Sequence, residues 1–449
     1  MIENPDSLKA IVEELANKHQ PKLARDLLDY YFTRCEALAD FDVLGFLALK
    51  NSYAELSVKA AEAAHSLAKS TEEMYAARTN LYKAYNAANQ PEKALLYTSL
   101  NLKITPEDFD TQVFHAANLK LNGQRGRGEM LIQKVIEKGI TDKQRRDIRS
   151  THAHKFLRKG DTGYGIDLFL GVKRDKATTF HLMGMERWNG KPQKGKKLYI
   201  YEGGGIGDTF INIRFLEHVK DLGMEPVLYS NLGREDVLDV LHRNGFNVTT
   251  HLYGVDTTCP HTELMVLPCD MKLKEKDLWR GPYLKPLKQE HTDLGPKTKF
   301  RIGIKCNGNP YFAQDMYRSI PFEDMISAMP EGVEVYYIDT EQEYPGVINL
   351  KGRINNWEDT LDYVSQMDMI VSSCTSLPHI SGAMGIPTVV MPPIAEYYIW
   401  SSSRENDTSP WYGDNFRVFK QQKVRDWKEP LEKANKYVIK IMKELGYAD

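Results

Sequence analysis

The chain has 449 residues and balances Lys+Arg 59 against Asp+Glu 61 for a formal net charge of −2, with 42% hydrophobic and 27% charged residues. These are the proportions of an ordinary globular protein, and they exclude a nucleic-acid coat, a disordered tail and a collagen-like rod. The length exceeds what one hydrophobic core supports, so two or three domains are expected. No apolar run approaches the roughly 20 residues of a bilayer span, and the start MIENPDSLKAIVEEL lacks the basic and apolar regions of a secretion signal. A cytoplasmic location is therefore expected. The five cysteines are odd in number, scattered and free of any C-x-x-C pair, which argues against a disulfide framework and against a structural zinc site.

From Pro5 to about Lys176 apolar residues and alanines recur at three- and four-residue spacing, and the segment reads as helical throughout. Around Tyr75 to Pro106 the turn Asn89-Gln90-Pro91 separates two helical stretches. A step of 34 residues, the tetratricopeptide (TPR) period, carries Tyr82 onto Ala116, Tyr85 onto Leu119 and Asn89 onto Gly123. A third, degenerate unit follows with Leu157, Gly160 and then Gly165 at the close-packing position of its second helix. By this spacing the segment resembles a TPR solenoid, with a plain helical bundle as the alternative. Between Lys120 and Lys176 there are 15 Lys/Arg against 7 Asp/Glu, so that end is expected to be electropositive and suited to an acidic partner, or to be a solvated face.

From about Leu198 short β-rich runs alternate with helical stretches: KLYIYE, VLYS and LMVL, then, after Thr298, FRIGIKC, VEVYYID, MIVSS and TVVM. Such alternation implies parallel sheets covered by helices on both faces. A polar stretch with Gly295-Pro296 separates two such sets, which predicts two Rossmann-like domains facing a cleft. In sheets of this kind ligands lie outside the carboxyl ends of the strands.

The candidate motifs fall at those ends. Glu202-Gly203-Gly204-Gly205-Ile206-Gly207-Asp208 follows the first strand; Asp208 occupies the third glycine position of G-x-G-x-x-G, so a dinucleotide site is poorly supported. Glycines here allow close backbone approach to a ligand. Asp208 is either a cap for the helix start or a general base facing the cleft. Ser372-Ser373-Cys374-Thr375-Ser376, running into Leu377-Pro378-His379, offers hydroxyls and free N–H groups suited to a diphosphate, or an ordinary helix cap. Cys374 and His379, five residues apart in one turn-helix segment, do not make a convincing nucleophile and base. Lys305 and Arg318, beside Asn307-Gly308-Asn309-Pro310, are candidates to neutralise phosphate or are ordinary surface charge. The aromatic group Trp411, Tyr412, Phe416, Phe419 and Trp427 reads as core packing.

Taken in order, Arg187-Trp188-Asn189-Gly190, Gly195-Lys196, Gly205-Ile206-Gly207-Asp208, Pro282-Tyr283-Leu284, Gly308-Asn309-Pro310, Arg318-Ser319-Ile320-Pro321, Thr375-Ser376 with His379, Gly382-Ala383 and Ser409-Pro410-Trp411-Tyr412 resemble the bacterial TPR-containing glycosyltransferase-like proteins. Their catalytic half is similar to heptosyltransferases and, more distantly, to O-linked N-acetylglucosamine transferases. The resemblance implies an α + α/β chain: a TPR-like helical solenoid (1–185), then a GT-B-type pair of Rossmann-like domains, acceptor-side (186–293) and nucleotide-sugar-binding (294–449, with a closing C-terminal helix). It implies that Asp208 is the catalytic base for inverting transfer. The donor would be held by Gly205, Gly207, Lys305, Asn309, Arg318, Thr375, Ser376 and His379, with no cofactor, no obligatory metal and no nucleic-acid partner. The acceptor would be a protein or glycan hydroxyl, docked on the TPR-like domain. Relatives commonly carry an acidic residue where this chain has Cys374, and an aromatic one near Cys306-Asn307. A GT-B-shaped scaffold without catalysis, and a non-transferring sugar-nucleotide enzyme such as an epimerase, are the alternatives.

Overall fold

A computed structural model of the protein describes residues 5–17, 20–141, 143, 144, 148, 153, 157, 162–170, 179–309, 315–395, 397–401 and 406–448. The chain divides into two compact units, Met1–Ile148 and Arg149–Asp449. Gly160, Pro310 and much of the basic stretch that ends at Lys176 lie outside the described residues.

The first unit is an array of antiparallel helices: α1 (Pro5–Asn17), α2 (Pro21–Phe32), α3 (Leu38–Lys50), α4 (Ala54–Leu67), α5 (Thr71–Ala87), α6 (Pro91–Ile104), α7 (Phe109–Leu121) and α8 (Arg125–Glu137). Two starts carry side-chain caps: the Ser70 hydroxyl and the Glu73 carboxylate cap each other's backbone N–H groups, and Asp108 accepts from Thr111 N at 2.8 Å. The 34-residue register is carried by the turns at Asn89 and Gly123, and the turn at Ser52, 37 residues before Asn89, has the same form. Ser52, Asn89 and Gly123, each the middle residue between two paired helices, have φ of 65°, 55° and 79°. In each turn the next N–H reaches back to the carbonyl of Ala48, Tyr85 or Leu119 at 2.8 Å, closing the preceding helix in the same left-handed cap. The register partners Tyr82, Tyr85, Ala116 and Leu119 are all buried.

The second unit contains two all-parallel sheets. The first has the order β3-β2-β1-β4, from β1 (Lys197–Tyr201), β2 (Glu225–Tyr229), β3 (Val248–Thr249) and β4 (His261–Glu263). The second has the order β10-β9-β8-β5-β6-β7, from β5 (Phe300–Lys305), β6 (Val333–Tyr337), β7 (Ile348–Asn349), β8 (Met369–Ser373), β9 (Thr388–Met391) and β10 (Phe416–Val418). Numbered within itself, the second sheet runs 6-5-4-1-2-3, the doubly wound nucleotide-binding order. Strand order reverses between β1 and β4 in one sheet and between β5 and β8 in the other.

One expectation needs correcting. The apolar run LMVL is not a strand: Leu264–Val266 is a 3₁₀ turn leading into a short helix, Leu267–Asp270, and the strand lies just before it at His261–Glu263. Two of its three polar side chains have partners: Thr262 donates to Asp270 Oδ2 at 2.6 Å, and Tyr201 donates to Glu263 Oε2 at 2.9 Å, while the His261 ring is buried against Phe180 without a hydrogen bond among the described residues. All four residues of LMVL are buried, so they show no alternation, and Pro268 opens the helix. The strands β3, β7 and β10 are two or three residues long and gave no periodic signal. The helix Thr162–Leu170, counted by sequence with the helical domain 1–185, belongs to the second unit: Gly163 N donates to Leu273 O at 3.2 Å. Gly165 does sit at a tight contact, since a Cβ there would lie 2.6 Å from Leu157 Cγ.

A single buried cluster runs from Leu198, Ile200 and Phe210 at the first sheet to Ile370, Trp400 and Trp411 at the second. The far face of the second sheet is closed by the helix Lys428–Glu444 through Val438 and Ile441, and Trp427 joins that core. The aromatic residues Trp411, Tyr412, Phe416, Phe419 and Trp427 are all buried, as core packing requires. Two motifs that are far apart in sequence meet: the N–H groups of Tyr283 and Leu284 both donate to Ala383 O, at 2.9 and 3.2 Å, and Tyr283 Oη donates to Phe210 O at 2.8 Å.

Candidate functional site

The glycine-rich turn leaves β1 at the first sheet's reversal point. Glu202 opens it with a buried carboxylate that accepts the hydroxyls of Thr209 and Ser230 and pairs with Arg234 at 3.1 Å. Arg234 also donates to Gly204 O at 3.1 Å, so one buried acid ties the turn to β2 and to the loop beyond it. Gly204 has φ +91°, and a Cβ there would lie 2.5 Å from Asp208 Oδ2; no other residue fits this bend. Gly205 caps the helix Ile206–Asn212 in extended conformation.

Asp208 caps the helix start and also faces the cleft. Its Oδ2 accepts the N–H of Gly205 at 2.7 Å, a cap, while its Oδ1 accepts the hydroxyl of Tyr397 at 2.9 Å, across the cleft from the loop after β9. The carboxylate is half-buried rather than sealed in the core.

Opposite lies the turn after β8. The helix Leu377–Ala383 begins there, and a Cβ on Gly207 would sit 3.4 Å from Ser376 Cα and 2.9 Å from His379 Cδ2. The two helix starts therefore face each other with no room for a side chain between them. Arg318 reaches this turn from beyond β5: its Nη1 donates to Cys374 O at 2.9 Å and its Nε to Asp315 at 2.8 Å. A Cβ on Gly308 would collide with the guanidinium, so the Asn307-Gly308 turn is shaped around Arg318. Thr375 is buried, with its hydroxyl 3.2 Å from Ser372 Oγ, and Ser376 is half-buried. Asn309 is exposed, beside residues outside the description.

The Cys374 thiol is held toward its neutral form. Burial pushes it up, and the Asp208 charge adds to this; the Trp400 indole N–H, 3.1 Å from Sγ, and Arg318 oppose it. His379 is also buried: Nδ1 lies 2.6 Å from Tyr412 Oη, and the ring stacks on Trp400 with centroids 5.2 Å apart. Burial, with Arg214 adding to it, pushes His379 down to about 3, so it is neutral at physiological pH and brings no positive charge to a phosphate. The unfolded chain, with an ordinary imidazole near 6.5, takes up a proton that the fold refuses. Stability should therefore fall as pH drops below about 6.5, by up to about 1.4 kcal/mol per pH unit from this group. His379→Gln is expected to flatten the pH dependence of the urea midpoint between pH 6.5 and 4; identical slopes for variant and parent would contradict a buried neutral ring.

Beyond the facing helices a cavity of about 230 Å³ opens at the carboxyl ends of β5 and β6, lined by Lys305, Asp339, Asn356, Trp357, Ser376 and, from the first sheet's side, Asp236. Lys305 is ion-paired with Asp339. Burial alone would raise the Asp339 carboxyl, but Lys305 and the N–H groups of Glu341 and Gln342 outweigh it and hold it below the ordinary carboxylate value. The Lys305 charge is thus partly spent before any ligand arrives. Among the described residues no three His, Cys, Asp or Glu side chains form a metal-holding group.

Sequence reasoning missed three residues. Trp357 lines the cavity, and Tyr397 holds Asp208. Arg214 is buried on the turn that follows the glycine-rich helix, between the rings of Trp279, Tyr283 and Tyr412 at 5.4, 4.8 and 4.8 Å, and donates to the carbonyls of Ile211 and Trp411. A lone arginine in the apolar run FINIRFLEHV is the one signal that could have found it. Nothing in the local sequence marks Tyr397.

No family model and no curated protein matches the chain. Solved structures similar to it include a variant of the O-GlcNAc transferase of Thermobaculum terrenum, at 12% identity over 99% of this chain and 94% of that one, TM-score 0.36. They include the iron-containing dodecameric glycosyltransferase TibC of enterotoxigenic E. coli, at 11% identity over 57% of this chain and 78% of that one, TM-score 0.39. The TPR-like repeats of a kinesin light chain from Podosopora anserina match at 18% identity over 39% of this chain and 97% of that one, TM-score 0.30. At these identities and scores no residue role passes from those proteins to this chain.

Proposed function

We propose that the second unit transfers a sugar from a nucleotide-diphosphate sugar to a protein or glycan hydroxyl, with inversion at the anomeric carbon. One observation carries the reading. An aspartate able to act as base, Asp208, sits directly across from a helix start flanked by an arginine, and the two lie at the reversal points of facing parallel sheets. In a single displacement the acceptor hydroxyl loses its proton to Asp208 while its oxygen bonds the anomeric carbon. The bond from that carbon to the diphosphate oxygen breaks on the opposite face, and the electron pair leaves with the nucleoside diphosphate. Its developing charge would be met by Arg318, by the Ser376 N–H and by the hydroxyls of Thr375 and Ser376, donors held in place by the turn. The nucleoside would enter the cavity beside Trp357, with Asp339 and Lys305 at its polar end. The helical array is read as the surface that takes the protein part of the acceptor.

The test is a thermal-shift screen of the full chain with nucleoside diphosphates and nucleotide-sugars. Binding at 100 times Kd stabilises the fold by about 2.7 kcal/mol, enough to raise the melting point measurably. At least one nucleotide diphosphate should do so. If none does, the donor site is wrong and the scaffold alternative takes its place. Conversion of a bound donor without an acceptor would instead favour the epimerase.

A further inference from the structure

The hydroxyl that meets Asp208 comes from the other side of the cleft. Tyr397 lies between β9 and the short helix Tyr398–Ser401, 189 residues after Asp208, and its Oη donates to Oδ1 at 2.9 Å. With the Gly205 N–H on Oδ2, one oxygen is held from its own turn and the other from the opposite sheet's loop. The phenol ring is fixed in turn: Tyr398 packs against it with centroids 4.6 Å apart. Burial, then the Asp208 charge, keeps the Tyr397 phenol well above its ordinary value, so it is a standing donor and never competes as a base. Tyr398 and Cys374, the other titratable groups that feel the Asp208 charge, are both pushed up by burial and stay neutral.

We propose that Tyr397 is a positioning residue for sugar transfer: its hydroxyl fixes the Asp208 carboxylate in the orientation that takes the acceptor proton, and it does so only while the two Rossmann-like halves are together. The inference rests on the transfer reading above. One donor on each oxygen fixes the plane of the carboxylate, from its own turn on one side and from the opposite loop on the other. The base is thereby aimed by the half that would carry the donor, and an open cleft would leave it unaimed.

Tyr397→Phe in the full chain removes the donor and keeps the ring. Transfer to acceptor should slow by roughly 10- to 100-fold in kcat, the range expected for one lost hydrogen bond to a charged group, with the donor KM and the donor-induced thermal shift unchanged. Losing a donor to the charged form also makes Asp208 easier to protonate, so the acid limb of the kcat profile should move to higher pH. Carboxyl-carbon NMR of aspartate-labelled protein, assigned with Asp208→Asn, should show the Asp208 titration moving the same way. A kcat and an acid limb that superimpose on the parent's overturn the role of Tyr397 while leaving the transfer reading intact. A parent that binds no donor and transfers nothing overturns the transfer reading instead, and the positioning role with it, whatever the NMR titration shows.

Discussion

Asp208→Asn is expected to lower kcat for sugar transfer by roughly 10²- to 10⁴-fold, the share of the rate a positioned general base supplies. Asparagine is nearly isosteric, and its carbonyl oxygen can still accept the Gly205 N–H that Asp208 Oδ2 accepts at 2.7 Å, so the helix start keeps its cap. The variant should melt close to the parent and show the same shift with nucleotide diphosphate, because in the proposed transfer the base acts on the acceptor and not on the donor. Cap and base are separable in this way: a purely structural aspartate would lose stability and leave turnover alone. Equal kcat for variant and parent would remove Asp208 from the mechanism.

The largest effect on stability is expected at Glu202. Its carboxylate has no exposure, while Arg234, its partner at 3.1 Å, is one-fifth exposed. Glu202→Ala leaves the hydroxyls of Thr209 and Ser230 without their acceptor and the Arg234 guanidinium without its counter-charge. Breaking such a buried pair from one side costs about 3–5 kcal/mol, and the urea midpoint of the second unit should fall accordingly. Glu202→Gln keeps an acceptor oxygen and most of the shape, so it should lose distinctly less. An alanine variant within about 1 kcal/mol of the parent would mean that the turn is held by its glycines and not by this acid. Because Arg234 also grips Gly204 O, the same variant should blur the bend that aims Asp208.

The parts of this fold that could be read in the sequence are those where local pattern and burial agree. KLYIYE, FRIGIKC and MIVSS are strands in the interior of their sheets, flanked by parallel neighbours on both sides, and each delivers its motif at its carboxyl end. Asn89 and Gly123 were legible because a left-handed residue is needed at one fixed place between paired helices, and few residue types accept it. LMVL failed because burial on every side erases alternation. Thr262 and Glu263 concealed a strand because their partners Asp270 and Tyr201 are supplied by tertiary contact. The site divided in the same way. Asp208, Thr375 and Ser376 stand in the turns and helix starts just past strand ends, where position alone is informative, and Arg318 follows the turn after β5. Tyr397 and Arg214 act through neighbours 189 and 197 residues away, and no local window contains such a relation.

The repeated turn of the first unit has a mechanical consequence. Because Ser52, Asn89 and Gly123 close equivalent hairpins, and each hairpin packs on the one before and the one after, the array is a row of nearly interchangeable links. Such a row comes apart from its free end, link by link, whereas a block with one shared core fails all at once. Amide exchange should accordingly run as a gradient along α1 to α8, fastest at the outermost hairpin, and a damaged link should loosen its own neighbours while distant ones hold. The second unit is built otherwise: one buried cluster extends beneath both sheets and smaller ones cover their outer faces, so it is not a row of links. Force applied along the chain would therefore meet two kinds of resistance: a yielding series of small steps, then a single abrupt rupture.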